Sequence, residues 1–119
     1  MEPKFKFENL LIWQKAMELG ESINEKANGF PDKEIYNLRS QICRAADSIA
    51  LNISEGSIGQ SNPEFKKFMG YAIRSLAEVV TCLHKSKNRN YITDDEFKLL
   101  YENTFNLMNM LIGFKNKIN

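Results

Sequence analysis

The stretch Gly56-Ser57-Ile58-Gly59-Gln60-Ser61-Asn62-Pro63-Glu64 divides the chain near its middle. Two glycines loosen the backbone. Ser61 and Glu64 then stand three residues apart as a capping box, with Pro63 in the first turn of whatever follows. The stretch therefore reads as a helix stop followed by a helix start. Toward the amino terminus, Asn28-Gly29-Phe30-Pro31-Asp32 has the same form. Gly29 can take the left-handed conformation that closes a helix, Pro31 cannot continue one, and Asp32 is a natural N-cap. Toward the carboxyl terminus, Lys87-Asn88-Arg89-Asn90-Tyr91-Ile92-Thr93-Asp94-Asp95-Glu96 repeats the pattern. Thr93 and Glu96 form a second capping box, and the acidic run suits the positive end of a helix dipole.

These marks leave four segments, 9–28, 33–56, 63–88 and 94–117, with no proline inside them beyond Pro63 in a first turn. Each is about two dozen residues, hence roughly 36 Å long as a helix. No stretch alternates with period two for long enough to be a strand. Four helices of similar length on short links describe an all-α, antiparallel up-down-up-down four-helix bundle forming a single domain over residues 1–119.

Composition agrees. The chain carries 16 Lys+Arg against 15 Asp+Glu, a net charge of +1, so it is not a strongly basic domain. Hydrophobic residues make up 43%, enough for a core. Two cysteines outside any C-x-x-C pair form no disulfide framework, and a reduced, cytoplasmic setting is expected. The amino terminus lacks an apolar h-region, so no signal peptide is expected, and no apolar run reaches the ~20 residues of a membrane span.

The helix faces are unequal. The third segment has an ordinary apolar stripe of Phe65, Phe68, Met69, Ala72, Leu76, Val79, Val80 and Leu83. The fourth is apolar over more than half its circumference, with Leu99, Leu100, Tyr101, Phe105, Leu107, Met108, Met110, Leu111, Ile112 and Phe114. The first is also broad: Leu10, Ile12, Trp13, Ala16, Met17, Leu19, Gly20, Ile23 and Ala27. A lone bundle covers a narrower arc than this, so a second copy of the chain is the expected cover. The polar strips are acidic and amide-rich rather than Lys/Arg-rich, which argues against a membrane.

On the second helix, Gln41, Arg44, Ser48, Asn52 and Glu55 fall at spacings of three and four beside the apolar stripe of Ile35, Leu38, Ile42, Ala45, Ile49 and Ile53. Tyr71, Ser75, Glu78 and Cys82 make a similar strip on the third helix. Antiparallel neighbours bring the two strips together. The expectation is a buried structural network of Gln41, Arg44, Ser48, Asn52, Glu55, Ser75 and Glu78, with Arg44 paired to Glu78 or Glu55, since buried charges must be paired. A binding pocket or a solvated face are the alternative readings.

The stretch Gln41–Gly56 resembles the Q-x-x-R-A-x-x-S-I-x-x-N-I-x-E-G core of the 23S rRNA-intervening-sequence proteins, also called the four-helix-bundle protein family. The similarity continues through Glu64-Phe65, Phe68, Ala72, Ser75, Leu76 and Glu78, and upstream through Leu10, Trp13, Ala16 and Phe30-Pro31. Arg74 departs from it, standing where a Gly is expected before Ser75-Leu76. The resemblance implies a bacterial protein with no established enzymatic activity. Some family members are encoded inside intervening sequences of 23S rRNA genes. A related group, the accessory proteins of diversity-generating retroelements, forms barrel-shaped homopentamers that assist a reverse transcriptase and contact nucleic acid. A homopentamer is the oligomer the resemblance favours.

No catalytic, cofactor-binding or metal-ligating set emerges. The one histidine, His84, lies among Lys85, Lys87 and Arg89, which would repel a metal. Cys43, Cys82, Ser48 and Ser75 have no base beside them, so the cysteines read as small buried hydrophobes. The Gly56–Gly59 loop lacks the lysine of a phosphate cradle. The candidate nucleic-acid contact is Lys85, Lys87 and Arg89, where cations mix with amides and Tyr91 as in phosphate-plus-stacking surfaces. Two functions follow as expectations. One is a non-enzymatic assembly protein that meets RNA, DNA or a nucleic-acid enzyme through its ring. The other is a protein–protein adaptor with no nucleic-acid role.

Overall fold

The computed structural model describes residues 1–119 and contains four α-helices: α1 (Leu11–Ala27), α2 (Leu38–Ile58), α3 (Asn62–Asn88) and α4 (Asp94–Asn116). Short 3-10 turns lie at Lys6–Asn9 and Asp32–Glu34, and there is no strand. The helices pack as the corners of a square. α1 meets α2, α2 meets α3, α3 meets α4 and α4 meets α1, while neither diagonal pair is in contact. This is the antiparallel four-helix bundle that the punctuation implies.

The starts of α3 and α4 follow their caps. Ser61 Oγ accepts from the Glu64 amide at 3.2 Å, and Pro63 occupies the first turn. The reciprocal half of that box is not made, because the Glu64 carboxylate folds back over Gly59, where a β-carbon would collide with it. At α4 both halves are made: the Glu96 amide donates to Thr93 Oγ1 at 3.0 Å, and the Thr93 amide donates to Glu96 Oε1 at 2.8 Å.

Two boundary expectations need correction. The second helix begins at Leu38 and not at residue 33; Asp32 opens only a 3-10 turn, and Ile35 lies outside the helix and is exposed. The left-handed residue is not Gly29, since no glycine has positive φ. It is Asn90, at φ 62°, just beyond α3. The Asn90 amide donates to the Lys87 carbonyl and the Tyr91 amide to the Ser86 carbonyl, both at 2.9 Å. This pair of bonds is a Schellman closure with asparagine in the place glycine usually takes.

The core is built from Ile23, Leu38, Ile42, Ile49, Ile53, Met69, Leu76, Val79, Leu83 and Leu111, all fully buried. Burying such a side chain favours folding by roughly 1.5–3 kcal/mol, so the core dominates the stability. Small residues set the α2–α3 spacing: Ala45 and Gly56 on α2 and Ala72 and Ser75 on α3 are all buried. α4 contributes least, burying only Leu100, Thr104, Leu107 and Leu111.

Gly56 is where the contact is tightest. A β-carbon there would lie 2.8 Å from Phe68 Cβ and 2.9 Å from the Phe65 ring. Gly113, on α4, has nothing within 4 Å of the same position. Gly56→Ala is therefore expected to destabilise the fold by about 1–3 kcal/mol through overpacking. Gly113→Ala is expected to stabilise it by roughly 0.5–1 kcal/mol through helix propensity. Urea unfolding of the two variants checks both signs; loss of stability in both would mean that helix geometry, not the Phe65–Phe68 contact, governs Gly56.

Candidate functional site

The polar strip between α2 and α3 is smaller than the sequence suggests. Ser48 Oγ donates to Ser75 Oγ at 2.6 Å, and Ser75 Oγ donates to the Tyr71 carbonyl at 3.1 Å. Asn52 Nδ2 donates to the Ser48 carbonyl at 2.8 Å. Ser75 is buried, and Ser48 and Asn52 are half-buried. Gln41, Arg44, Glu55 and Glu78 are exposed, and none of the chain's ion pairs includes Arg44, Glu55 or Glu78. The expected buried, charge-paired network thus contracts to a serine–serine bridge with one asparagine. The cause is the close helix approach: small side chains occupy the contact, and the long polar ones are left on its outer edge, where water solvates them. Gln41, Arg44, Glu78, Thr81 and Lys85 line a shallow groove there. Arg74, the departure from the family pattern, is exposed and disturbs no helix contact.

The three candidate nucleic-acid cations have three different surroundings. Lys85 is exposed and in no ion pair. Lys87 Nζ sits 4.8 Å over the Phe97 ring and 4.0 Å from Asp94 Oδ1. Arg89 Nη1 donates to Glu34 Oε2 at 3.0 Å, so it is committed to a structural contact. Its side chain stays 40% exposed beyond that contact. The Schellman turn at Asn90 carries it back toward the link between α1 and α2.

Glu34 is the residue the sequence reading missed. It is only 4% exposed. Its carboxylate accepts from Tyr91 Oη at 2.6 Å, from Arg89 at 3.0 Å and from Asn37 Nδ2 at 3.0 Å. The clasp joins the two inter-helix links at one end of the bundle. The Tyr91 hydrogen bond, the Leu38 amide and the Arg89 guanidinium hold its carboxyl below the usual range, against the burial that pushes it up. The available signal was the unusual Arg89-Asn90-Tyr91 turn, which gives a buried acid two donors. Beside it, Lys26 Nζ meets Glu96 Oε2 at 2.6 Å across α1 and α4. That bond, helped by the Thr93 amide, lowers the Glu96 carboxyl from its ordinary 4.5 to about 2.

Reactive chemistry finds little to work with. Cys82 is buried and Cys43 half-buried; both are free, and burial pushes both thiols up, away from the reactive thiolate. His84 is exposed, its ring 4.9 Å from Phe97 and 6.1 Å from Tyr101. No three His, Cys, Asp or Glu side chains converge in a way that could hold a metal ion. No helix is long and apolar enough to cross a membrane.

Two apolar surfaces remain. On α4, Phe105 is 53% exposed, Ile112 41% and Tyr101 37%. Between α1 and α2, Trp13, Met17, Gly20, Ala46, Ala50 and Leu51 line a groove closed at one end by Phe7. The Trp13 and Phe7 rings are 5.3 Å apart, which seats the amino-terminal turn on the bundle.

The sequence profile of the family described as 23S rRNA-intervening sequence protein matches residues 8–113. Among solved structures, a protein of unknown function from the S23 ribosomal protein family of Bacteroides thetaiotaomicron has a similar fold. Its TM-score is 0.82 at 21% sequence identity, over 88% of this chain and 98% of that one. No curated protein matches the sequence.

The Glu34 clasp and the Lys26–Glu96 pair give the fold an acid limb. Both carboxyls titrate lower in the folded chain than in the unfolded one, so the unfolded chain binds more protons in the window between. Their contribution is complete above the ordinary 4.5 and is lost as pH falls toward the folded value, about 2 for Glu96. The melting temperature is expected to be level from neutral pH to about 5 and to fall below it. Glu34→Gln with Glu96→Gln should melt lower at neutral pH and show a shallower acid decline. Calorimetry across pH checks this, and an unchanged acid limb in the double variant would remove both carboxyls from the account.

Proposed function

Since the chain belongs to the 23S rRNA-intervening sequence protein family, we propose that it is a non-enzymatic, cytoplasmic assembly protein that works as a homo-oligomer, with five copies favoured. The observation that supports self-association is the uncovered apolar face of α4, where Phe105 and Ile112 are 53% and 41% exposed. A large apolar side chain gains roughly 1.5–3 kcal/mol on full burial, so several from each partner can offset the ~4–15 kcal/mol that association costs. The count of five rests on the family resemblance alone.

Contact with RNA or DNA, or with an enzyme that acts on it, is the partner reading we attach to the rim at the α3–α4 link. Lys85 supports it, being exposed and unpaired. Arg89, bound to Glu34, does not, and Asp94 and Asp95 stand close by in sequence. Five copies would then present about ten lysines from positions 85 and 87 rather than fifteen cations. This thinning of the rim favours the second reading, a protein–protein adaptor with no nucleic-acid role.

Sedimentation equilibrium at micromolar concentration is expected to give a single species of five copies. A stable monomer would overturn the assembly reading; a dimer or tetramer would defeat only the count. A gel-shift series with structured and single-stranded RNA then separates the two partner readings. Binding that weakens steeply with salt, and less steeply in Lys85→Gln/Lys87→Gln, supports the nucleic-acid role. No shift at low salt gives the adaptor reading the lead.

A further inference from the structure

We propose that copies of this chain join head to tail, the apolar stripe on α4 of one copy seating in the α1–α2 groove of the next. The proposal rests on the self-association reading and assigns its two contact surfaces. Tyr101, Phe105, Met108 and Ile112 are spaced four, three and four apart, so they form one stripe roughly 16 Å long. It runs one position past the buried series Leu100, Thr104, Leu107 and Leu111, on the side of α4 that faces α3, where Tyr101 meets the His84 ring. The groove lies between α1 and α2. Because neither α1–α3 nor α2–α4 is in contact, groove and stripe occupy opposite sides of the square.

The two surfaces are complementary in shape and charge. The stripe presents large side chains. The groove has a low floor of Gly20, Ala46 and Ala50 between Trp13, Met17 and Leu51. Its rim carries Glu21 and Asp47, neither in an ion pair. Asp47 accepts only from Asn24, at 2.9 Å. The stripe is flanked by Lys98, seven residues before Phe105, and Lys115, seven after Met108, both unpaired, against one acid, Glu102, beside Lys98. A two-fold contact of stripe on stripe would set four lysines against two copies of Glu102, a net like-charge excess, and groove on groove would bring Glu21 and Asp47 together. Stripe in groove sets opposite charges around an apolar centre. A contact between two different surfaces is heterologous, and it closes into a ring where the rotation between copies allows.

Complementation of two variants tests the pairing. Phe105→Glu/Ile112→Glu disables the stripe and keeps the groove; Met17→Glu/Leu51→Glu disables the groove and keeps the stripe. All four positions are exposed in the single chain, so the helices should persist by circular dichroism. Sedimentation velocity is expected to show each variant alone as a monomer, and their mixture as a 1:1 heterodimer that grows no further. A groove variant that keeps the wild-type assembly overturns the proposal, as do two monomers that fail to combine. A wild-type monomer would instead show that the self-association reading itself is wrong. Where a double glutamate variant does not fold, Glu21→Lys/Asp47→Lys and Lys98→Glu/Lys115→Glu serve in its place. Each should dissociate alone, and the mixture should recombine into alternating complexes that an odd-numbered ring cannot close; a mixture that stays monomeric overturns the charge pairing.

Discussion

The close approach of α2 and α3 is the constraint on which the rest of the structure depends. Gly56, with 2.8 Å between its absent β-carbon and Phe68 Cβ, and the 2.6 Å Ser48–Ser75 bridge fix the distance. At that spacing no long polar side chain fits between the helices. Arg44, Glu55 and Glu78 are displaced to the edge, and the centre is left to Ile42, Ile49, Ile53, Leu76 and Val79. An apolar contact between small residues avoids the desolvation that a buried ion pair would carry. Gln41, Arg44 and Glu55 therefore face water in the single chain, and their regular spacing reflects one helix edge, not one network.

The link between α1 and α2 is held by a different kind of force. Residues 28–37 contain no strong helix cap for α2: the Asn37 side chain makes no capping bond. Glu34 supplies what is missing. It binds Asn37 and approaches the Leu38 amide at 3.4 Å, at the N-terminus of α2, where a negative charge is favoured. Tyr91 and Arg89 then tie that same carboxylate to the end of α3. One buried acid thus sets where α2 begins and where the α3–α4 link lies. It also engages Arg89, whose side chain stays 40% exposed, so the charge of that rim is coupled to a folding requirement.

The fold was legible because its signals are local. Ser61, Pro63 and the Thr93–Glu96 box announce helix starts through bonds that span three residues, and those starts lie within a residue or two of their expected positions. The apolar arcs were legible for the same reason, since helix periodicity alone assigns a face. What the sequence hid is long-range. Glu34 contacts Arg89 and Tyr91 from 55 and 57 residues away, and nothing in the local pattern of Asp32-Lys33-Glu34 distinguishes it from a solvated turn. The start of α2 is hidden on the same ground: Asp32 looks like a cap, yet the cap is an acid two residues later acting through space. The polar strip failed in a third way. Spacing says which residues share a face, but the distance between two helices decides whether that face is covered.

α4 shows how little a helix needs to belong to the bundle. Its first turn is secured by the Thr93–Glu96 box and the Lys26 bond, its last by the edge-on contact of Phe114 with Phe65, 5.6 Å between ring centres. Between those ends one narrow stripe of four residues enters the core. Anything that binds the folded chain and not the unfolded one adds its binding free energy to folding. A contact along Tyr101, Phe105 and Ile112 would therefore stabilise the helix with the smallest share of the core. Assembly and the order of α4 are then thermodynamically linked: conditions that loosen α4 weaken association, and dilution that separates copies leaves α4 held by its ends and a single stripe.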